Sequence, residues 1–464
     1  MSELPLPAGP APAESGRDPP VVPRPRQQLE SPDAKIDITA SGSRMRRRTV
    51  RMLLIFGGLA LAGVGCYFAY RYLRAEYYFR AAEKARQERN FSQAHLYLDE
   101  CLKVWPRSVR VHFLGARIAR QAGFYEEAER HLDLCQQLQQ QTPEFQLERS
   151  LLQVHQGAFS ALTETQLRNY VNDQHPASEE ILEALSQGCM RTFRLNNAQT
   201  YLDLWLQRRP DNVQAWLWLG WVHERMLNAA SAKEDYQKAV QLAPENGEAQ
   251  FHLAQMLLTV GDLQQAEAAF ERLRQSQPDN PLVAMGLAQS LSRLGQTAEA
   301  RRLLDELVTK FPKEAPVLVE RGRLALQTGH ADEAEPWLRR AAKLAPRDYQ
   351  ANYTLYLCLK QLGKEAEARE RQERVRVIEA DVQRLQELTF EVQQHAYDLS
   401  RRCEIGQIFL RNGESQQGLD WLKNVLKIDP QHAEANRALA EYYEQHGDPA
   451  LAARYRQPGQ QGKP

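Results

Sequence analysis

From Val213 onward, large apolar, small and proline positions return on a fixed interval. With Val213 as position 1, Trp216 is position 4, Leu219 is 7, Gly220 is 8, Ala232 is 20, Tyr236 is 24, Ala239 is 27 and Pro244 is 32. The next unit places Leu253, Ala254, Ala266, Phe270, Leu273 and Pro278 at positions 7, 8, 20, 24, 27 and 32. Leu287, Ala288, Ala300, Leu304, Leu307 and Pro312 follow, then Gly322, Ala334, Leu338, Ala341 and Pro346. Apolar residues at positions 4, 7, 8 and 11 share one face of a first helix. Position 15 is Gly123, Gly261, Gly295, Gly329, Gly363, Gly413 and Gly447 in seven units. A glycine there takes positive φ and ends that helix. Alanine at 20 lets a second helix approach closely. Proline at 32 lacks an N–H and disfavours helix just before it, which stops the second helix. The spacing therefore predicts stacked helix pairs, each burying its apolar face only against its neighbours.

The register runs from about residue 75 to 456, in about eleven units, before a polar tail over 457–464. Ala81, Ala82, Ala94, Leu98 and Pro106 fit the first unit, and Gly115, Ala116, Ala128 and Leu132 the second. A unit near 145–178 is degenerate: it lacks the alanine at position 20, and its turn glycine, Gly157, is displaced. Near 364–398 there is no glycine or proline, and Val375, Ile378, Val382, Leu385, Leu388 and Val392 recur at spacings of three and four. This predicts one extended second helix lying along the stack.

The pattern resembles the tetratricopeptide repeat, a helix–turn–helix unit of about 34 residues. The resemblance, to a membrane-anchored bacterial member of that family, implies an all-α solenoid wound as a right-handed superhelix. It also implies that first helices line a concave face, with positions 2, 5, 9, 12 and 13 projecting into it. Phe113, Leu217, Phe251, Met285, Val319 and Tyr353 occupy position 5 of their units, joined by Trp218 and Trp221, while Arg120, Arg225, Arg293, Arg323 and Arg411 border the stripe. Aromatic residues and arginine in a concavity are the usual anchors for a peptide or helix. Part of the stripe is also expected to pack against the neighbouring first helix. No unit combines Lys at position 5 with Asn at position 9, the pair by which some family members clamp a chaperone's carboxylate.

The N-terminal region breaks the pattern. Residues 1–43 are rich in Pro, Ala and Ser, too poor in large apolar groups to build a core, and are expected to be disordered. An arginine-dense segment, 44–51, follows. Met52–Tyr70 then contains no charged residue. As a helix it reaches roughly 28 Å, near the hydrocarbon thickness of a bilayer. Tyr67, Tyr70 and Tyr72 sit where aromatic rings favour the interface. A single transmembrane helix over 52–72 is expected. The tight cluster Arg44, Arg46, Arg47, Arg48 and Arg51 places the N-terminus in the cytoplasm and the repeats on the opposite, periplasmic side.

Charge and chemistry narrow the functional classes. Lys plus Arg and Asp plus Glu both number 59, so the formal net charge is zero, which speaks against a polyanionic nucleic-acid partner. The sequence contains no phosphate-binding glycine loop, zinc-protease motif or nucleophile elbow. The 11 histidines are scattered, without metal-ligand spacing to cysteine or carboxylate. Cys101 and Cys135 fall at the small position 27 and read as core residues. No catalytic, cofactor or metal site and no small-molecule substrate are expected. What remains is a membrane-anchored scaffold binding peptide or helical segments of protein partners. The alternative is a receptor or holdase for polypeptides crossing at a translocon.

Overall fold

A computed structural model describes residues 42–138 and 142–456, with side chains from residue 63 onward. The tails 1–41 and 457–464 lie outside the described residues. The helices are α1 Gly42–Gln87, α2 Phe91–Leu102, α3 Val109–Ala122, α4 Tyr125–Gln137, α5 Pro143–His155, α6 Ala161–Asn172, α7 Ser178–Arg191, α8 Leu195–Arg208, α9 Val213–Arg225, α10 Ala229–Leu242 and α11 Gly247–Val260. They continue as α12 Leu263–Ser276, α13 Pro281–Arg293, α14 Thr297–Lys310, α15 Ala315–Gln327, α16 Ala331–Leu344, α17 Tyr349–Gln361, α18 Glu365–Gln394, α19 Leu399–Arg411, α20 Ser415–Ile428, α21 Ala433–Gln445 and α22 Pro449–Arg456. Among the described residues there is no strand, as the helical period requires.

The chain divides into two compact units, Met1–Leu73 and Arg74–Pro464. In the first, Val64, Tyr67, Phe68, Tyr70, Tyr72 and Leu73 are all exposed. The side chains of residues 52–62, most of the expected membrane span, are not among those described, and neither are those of the basic segment 44–51. Among the described residues no helix is long and apolar enough to cross a membrane.

In the second unit the helix punctuation follows the sequence. All seven position-15 glycines have positive φ, from 70° at Gly363 to 92° at Gly261. Three units put another residue at that place: Arg89, Phe193 and Leu227, at φ 58°, 52° and 60°. Second helices end two residues before proline, and the intervening Arg209, Ala243, Gln277, Phe311 and Ala345 leave helical geometry with φ between −137° and −122°. The clash of the proline ring with the preceding residue drives them there. First helices restart at a polar cap: Asn212, Asn246, Asn280, Asp348 and Asp398 each accept a main-chain N–H two or three residues on.

Position 4 has a second role that its apolar reading missed. Trp216 is half-buried rather than core, and its indole N–H donates to the Pro210 carbonyl at 2.9 Å. Asn352, Asn436 and His112 make the same bond to Pro346, Pro430 and Pro106 at 3.1, 3.0 and 3.0 Å. This satisfies a carbonyl left unpaired after the second helix. Cys101 and Cys135 are fully buried, as their small-residue position implies, with their thiols on the Ala75 and Val109 carbonyls.

The extended helix α18 lies within the stack. Its first half buries Ala368, Val375 and Ile378, with Ala368 on the main core that starts at Ala254. Its second half sends Leu388 and Val392 into a separate cluster with Ile405, Ile408, Phe409 and Trp421. One double-length helix thus serves two consecutive units and displaces the last four helices along its axis.

Two buried polar sites carry measurable consequences. The Arg120 guanidinium, fully buried, donates to Glu148 Oε1 at 2.5 Å and Oε2 at 3.1 Å, and reaches Glu180 at 3.3 Å. We expect Arg120→Met to lower stability by about 3–5 kcal/mol, since it strands a buried carboxylate. Denaturant unfolding of the pure variant checks this, and a change under about 1 kcal/mol would contradict it.

His112 and His131 face each other through Nδ1 atoms 2.9 Å apart. Because His112 Nε2 must donate to the Pro106 carbonyl, its Nδ1 accepts, and His131 is the donor. Burial, then the facing His112 ring, pushes the His131 imidazole down to about 4. The unfolded chain therefore takes up this proton near pH 6.5, while the folded chain does so only near 4. Stability present above pH 6.5 is lost as pH falls towards 4. Melting between pH 7 and 5 should decline more steeply for the native chain than for His131→Gln. Parallel slopes would show that the pair does not titrate with folding.

Candidate partner-binding groove

The structure divides the stripe expected from the sequence into core and surface. Leu217 and Val319 are 4% and 8% exposed and belong to the core, Leu217 beside Tyr236 and Val319 beside its neighbouring helices. These two position-5 side chains are core rather than exposed surface. Arg120, which the repeat position places at the border, is buried as described above. Phe113 and Phe251 are half-buried against their clusters, Phe251 meeting Phe270 edge-on at 6.3 Å. Met285 is half-buried. Tyr353 is exposed and stacks on Tyr349 at 5.5 Å. Arg293 is exposed and donates to the Leu258 carbonyl, while Arg323 is tied to Glu320. Arg411, another bordering residue, is held by Asp381 at 2.6 Å.

The tryptophan cluster is more informative. Trp218 is half-buried and packs 6.0 Å from Trp205. Trp221 is half-buried, with the exposed Arg225 guanidinium 5.2 Å above its ring. Trp221 and Arg225 line a cavity of about 270 Å³ together with Met190, Arg191 and Phe193. The opposite wall comes from the C-terminal repeats: Asp420, Trp421 and Asn424. That wall follows from the array folding back on itself.

The junction is built where the repeat pattern is irregular. The degenerate unit α5–α6 offers the Gln156 and Gly157 carbonyls. Asn424 Nδ2 donates to the first and Arg402 Nη1 to the second, at 3.0 Å for Arg402. Gly157 has φ 73°, and a Cβ there would lie 2.8 Å from Asn424 Nδ2, so a larger residue would strain the turn and push Asn424 aside. Glu164, buried at the place of the missing alanine, accepts from Tyr201 at 2.5 Å, Arg194 at 2.7 Å and Tyr397 at 2.5 Å. Burial raises the Glu164 carboxyl, but these donors outweigh it and hold it below the usual range. Phe193 stacks on Trp421 at 5.6 Å and Phe409 at 6.3 Å. Phe193 stands where seven other units have glycine, but so do Arg89 and Leu227, so this contact had no distinct mark in the sequence.

A larger concavity of about 1120 Å³ lies between α18, α19 and α21. Within it Arg384 pairs with Glu404 and Arg401 with Glu391, each at 2.7 Å. Among the described residues no group of three or more His, Cys, Asp and Glu side chains could hold a metal ion.

Comparison with known proteins agrees with the repeat architecture. The tetratricopeptide-repeat model matches residues 79–144, 285–374 and 403–456. A model of the TPR domain of cytochrome c-type biogenesis protein H matches residues 183–318. A curated relative, the probable biofilm formation methyltransferase WspC of Pseudomonas putida, is 30% identical over 92 residues, 20% of this chain. The match spans only 22% of that relative's length. Among solved structures, a tetratricopeptide repeat protein from Parabacteroides merdae aligns at 16% identity and TM-score 0.35, over 62% of this chain and 99% of its own. MamA from Desulfovibrio magneticus aligns at 16% identity and TM-score 0.34, over 36% of this chain and 94% of its own. With family models falling on the regular units to either side of the two irregular segments, this chain is a tetratricopeptide-repeat protein.

Proposed function

We propose that the protein is a non-enzymatic, membrane-anchored scaffold that holds peptide or helical segments of protein partners against its repeats. The observation that carries this reading is the cavity at Trp221. A half-buried tryptophan under an arginine, beside Met190 and Phe193, is the kind of anchor pocket that dominates binding at interfaces. Trp218 on the same helix, and Phe251 and Met285 on the next two first helices, are likewise half-buried apolar residues, and Tyr353 and Arg225 contribute exposed surface.

Anchoring is supported by the charge-free run Met52–Tyr70 and by its uncovered end. Phe68 and Leu73 are 62% and 67% exposed, amid exposed Tyr67, Tyr70 and Tyr72. Such a collar suits a membrane interface better than open water. The arginine cluster before the span favours a cytoplasmic N-terminus with the repeats opposite. The second reading, a receptor for translocating polypeptides, draws on the matched domain of a biogenesis protein, whose span contains Trp218, Trp221 and Phe251. Partner number separates the two: few stoichiometric partners mark a scaffold, many unfolded clients a receptor.

Trp221→Ala should weaken capture of a stoichiometric partner by about 2 kcal/mol, a hot-spot loss. It should leave the melting temperature within a few degrees. Unchanged capture together with a large fall in melting temperature would make Trp221 a core residue and remove the pocket's role.

The full chain should stay with membranes through alkaline carbonate extraction, and protease added to intact spheroplasts should digest the repeats. Extraction into the soluble fraction would refute the anchor, and protected repeats would reverse the orientation.

A further inference from the structure

The junction between the C-terminal repeats and α5–α8 differs from the interfaces between consecutive units. Consecutive units meet through continuous apolar cores, such as the one running from Ala254 to Ala368. The junction combines the Phe193 ring, packed on Phe409, Trp421 and their cluster, with a set of polar contacts and the Arg191–Asp420 ion pair at 3.9 Å. At its centre, Arg402 is fully buried, and among the described residues it makes no ion pair. Its Nη2 caps the Ala396 carbonyl at 2.6 Å, as position 4 does elsewhere, and its Nη1 crosses to Gly157. Its Nε has no hydrogen-bond partner, nor do Arg194 Nε and Nη1, Gln156 Nε2 and Asn424 Oδ1 around it. Burial, then the nearby Arg194 charge, pushes the Arg402 guanidinium down to about 10, so it remains charged at neutral pH. A buried charge without a counter-charge, among unsatisfied polar groups, opposes closure. The stack that favours closure stands on a Phe193 held in left-handed backbone, a conformation that a bulky side chain rarely adopts. Favourable and unfavourable contributions are therefore concentrated in one small contact.

We propose that this junction is a releasable latch, and that α19–α22 undock from α5–α8, parting Trp421 from Phe193 and opening the closed array. Opening returns Arg402 to water and splits the Trp221 cavity into its two walls. The latch stands on the junction's own contacts and holds whether or not the cavity receives a peptide.

Two substitutions weaken the latch while leaving the fully buried core residues on both sides in place. Phe193→Gly removes the stacking ring and supplies the residue that seven other units use at this turn. Tyr397→Phe keeps the ring but removes the bond to Glu164. Glu126 and Gln416 are exposed and line one cavity from opposite sides of the junction, so spin labels there are close when the latch is shut. In the full chain with Cys66→Ser, labelled at Glu126→Cys and Gln416→Cys, pulsed electron paramagnetic resonance should give a short distance and a second, longer one. Each variant should enrich the longer population roughly fivefold, the factor expected for losing one such contact. Circular dichroism should show unchanged helicity. The proposal is overturned if the longer distance is absent from the native chain, or if neither variant enriches it.

Discussion

Everything in the array depends on how closely the two helices of each unit approach. At Gly220 a Cβ would lie 2.6 Å from the Tyr236 ring, and at Gly322 one would lie 2.5 Å from Leu338. The pairs are positions 8 and 24 of the same unit: one side chain is deleted so that the other can enter. The distance set there fixes how the next unit stacks. Because a solenoid repeats that step many times, small local spacings decide where distant helices arrive. Tyr236 and Leu338 are fully buried as a result, and each unit is stable only beside its neighbours.

The two places where this regularity fails are functionally connected. In the degenerate unit, the small residue that would admit a close helix is replaced by Glu164, and the turn glycine is displaced to Gly157. These changes leave two carbonyls, and a carboxylate already held by Arg194 and Tyr201 of the next repeat, able to accept from elsewhere in the chain. In α18, a second helix of double length carries α19–α22 away from the regular stack. The displaced block is what fills the vacated positions, through Tyr397, Arg402 and Asn424. The cavity at Trp221 follows from this, since its walls come from units on either side of the junction.

Much of this was legible in the sequence. Glycine at position 15, proline at 32 and alanine at 20 are local requirements, so helix ends and pair packing could be read without coordinates. The extended helix over 364–398 was visible from its lack of breakers, and its place within the stack is what the structure shows. The closure was not legible. Contacts such as Arg402 to Gly157 join residues far apart in the chain and have no periodicity to betray them. For the same reason Leu217 and Val319 could not be told from true groove residues: position 5 is core or surface according to the size of its neighbours. Arg120 looked like a border arginine because the carboxylates that bury it, Glu148 and Glu180, come from other units. Phe193 was no easier to read, since Arg89 and Leu227 depart from glycine at the same position without a partner across the junction among the described contacts.

The central claim is that the array closes through side chains separated by more than half the chain. A double-mutant cycle on Tyr397→Phe and Glu164→Gln tests it most directly, because the pair is joined only if the C-terminal repeats rest on the degenerate unit. Groups in contact couple, whereas distant sites in a one-dimensional stack add. The closed array predicts a coupling of about 1 kcal/mol in denaturant unfolding. Additivity to within about 0.3 kcal/mol would contradict it and leave an open solenoid in its place.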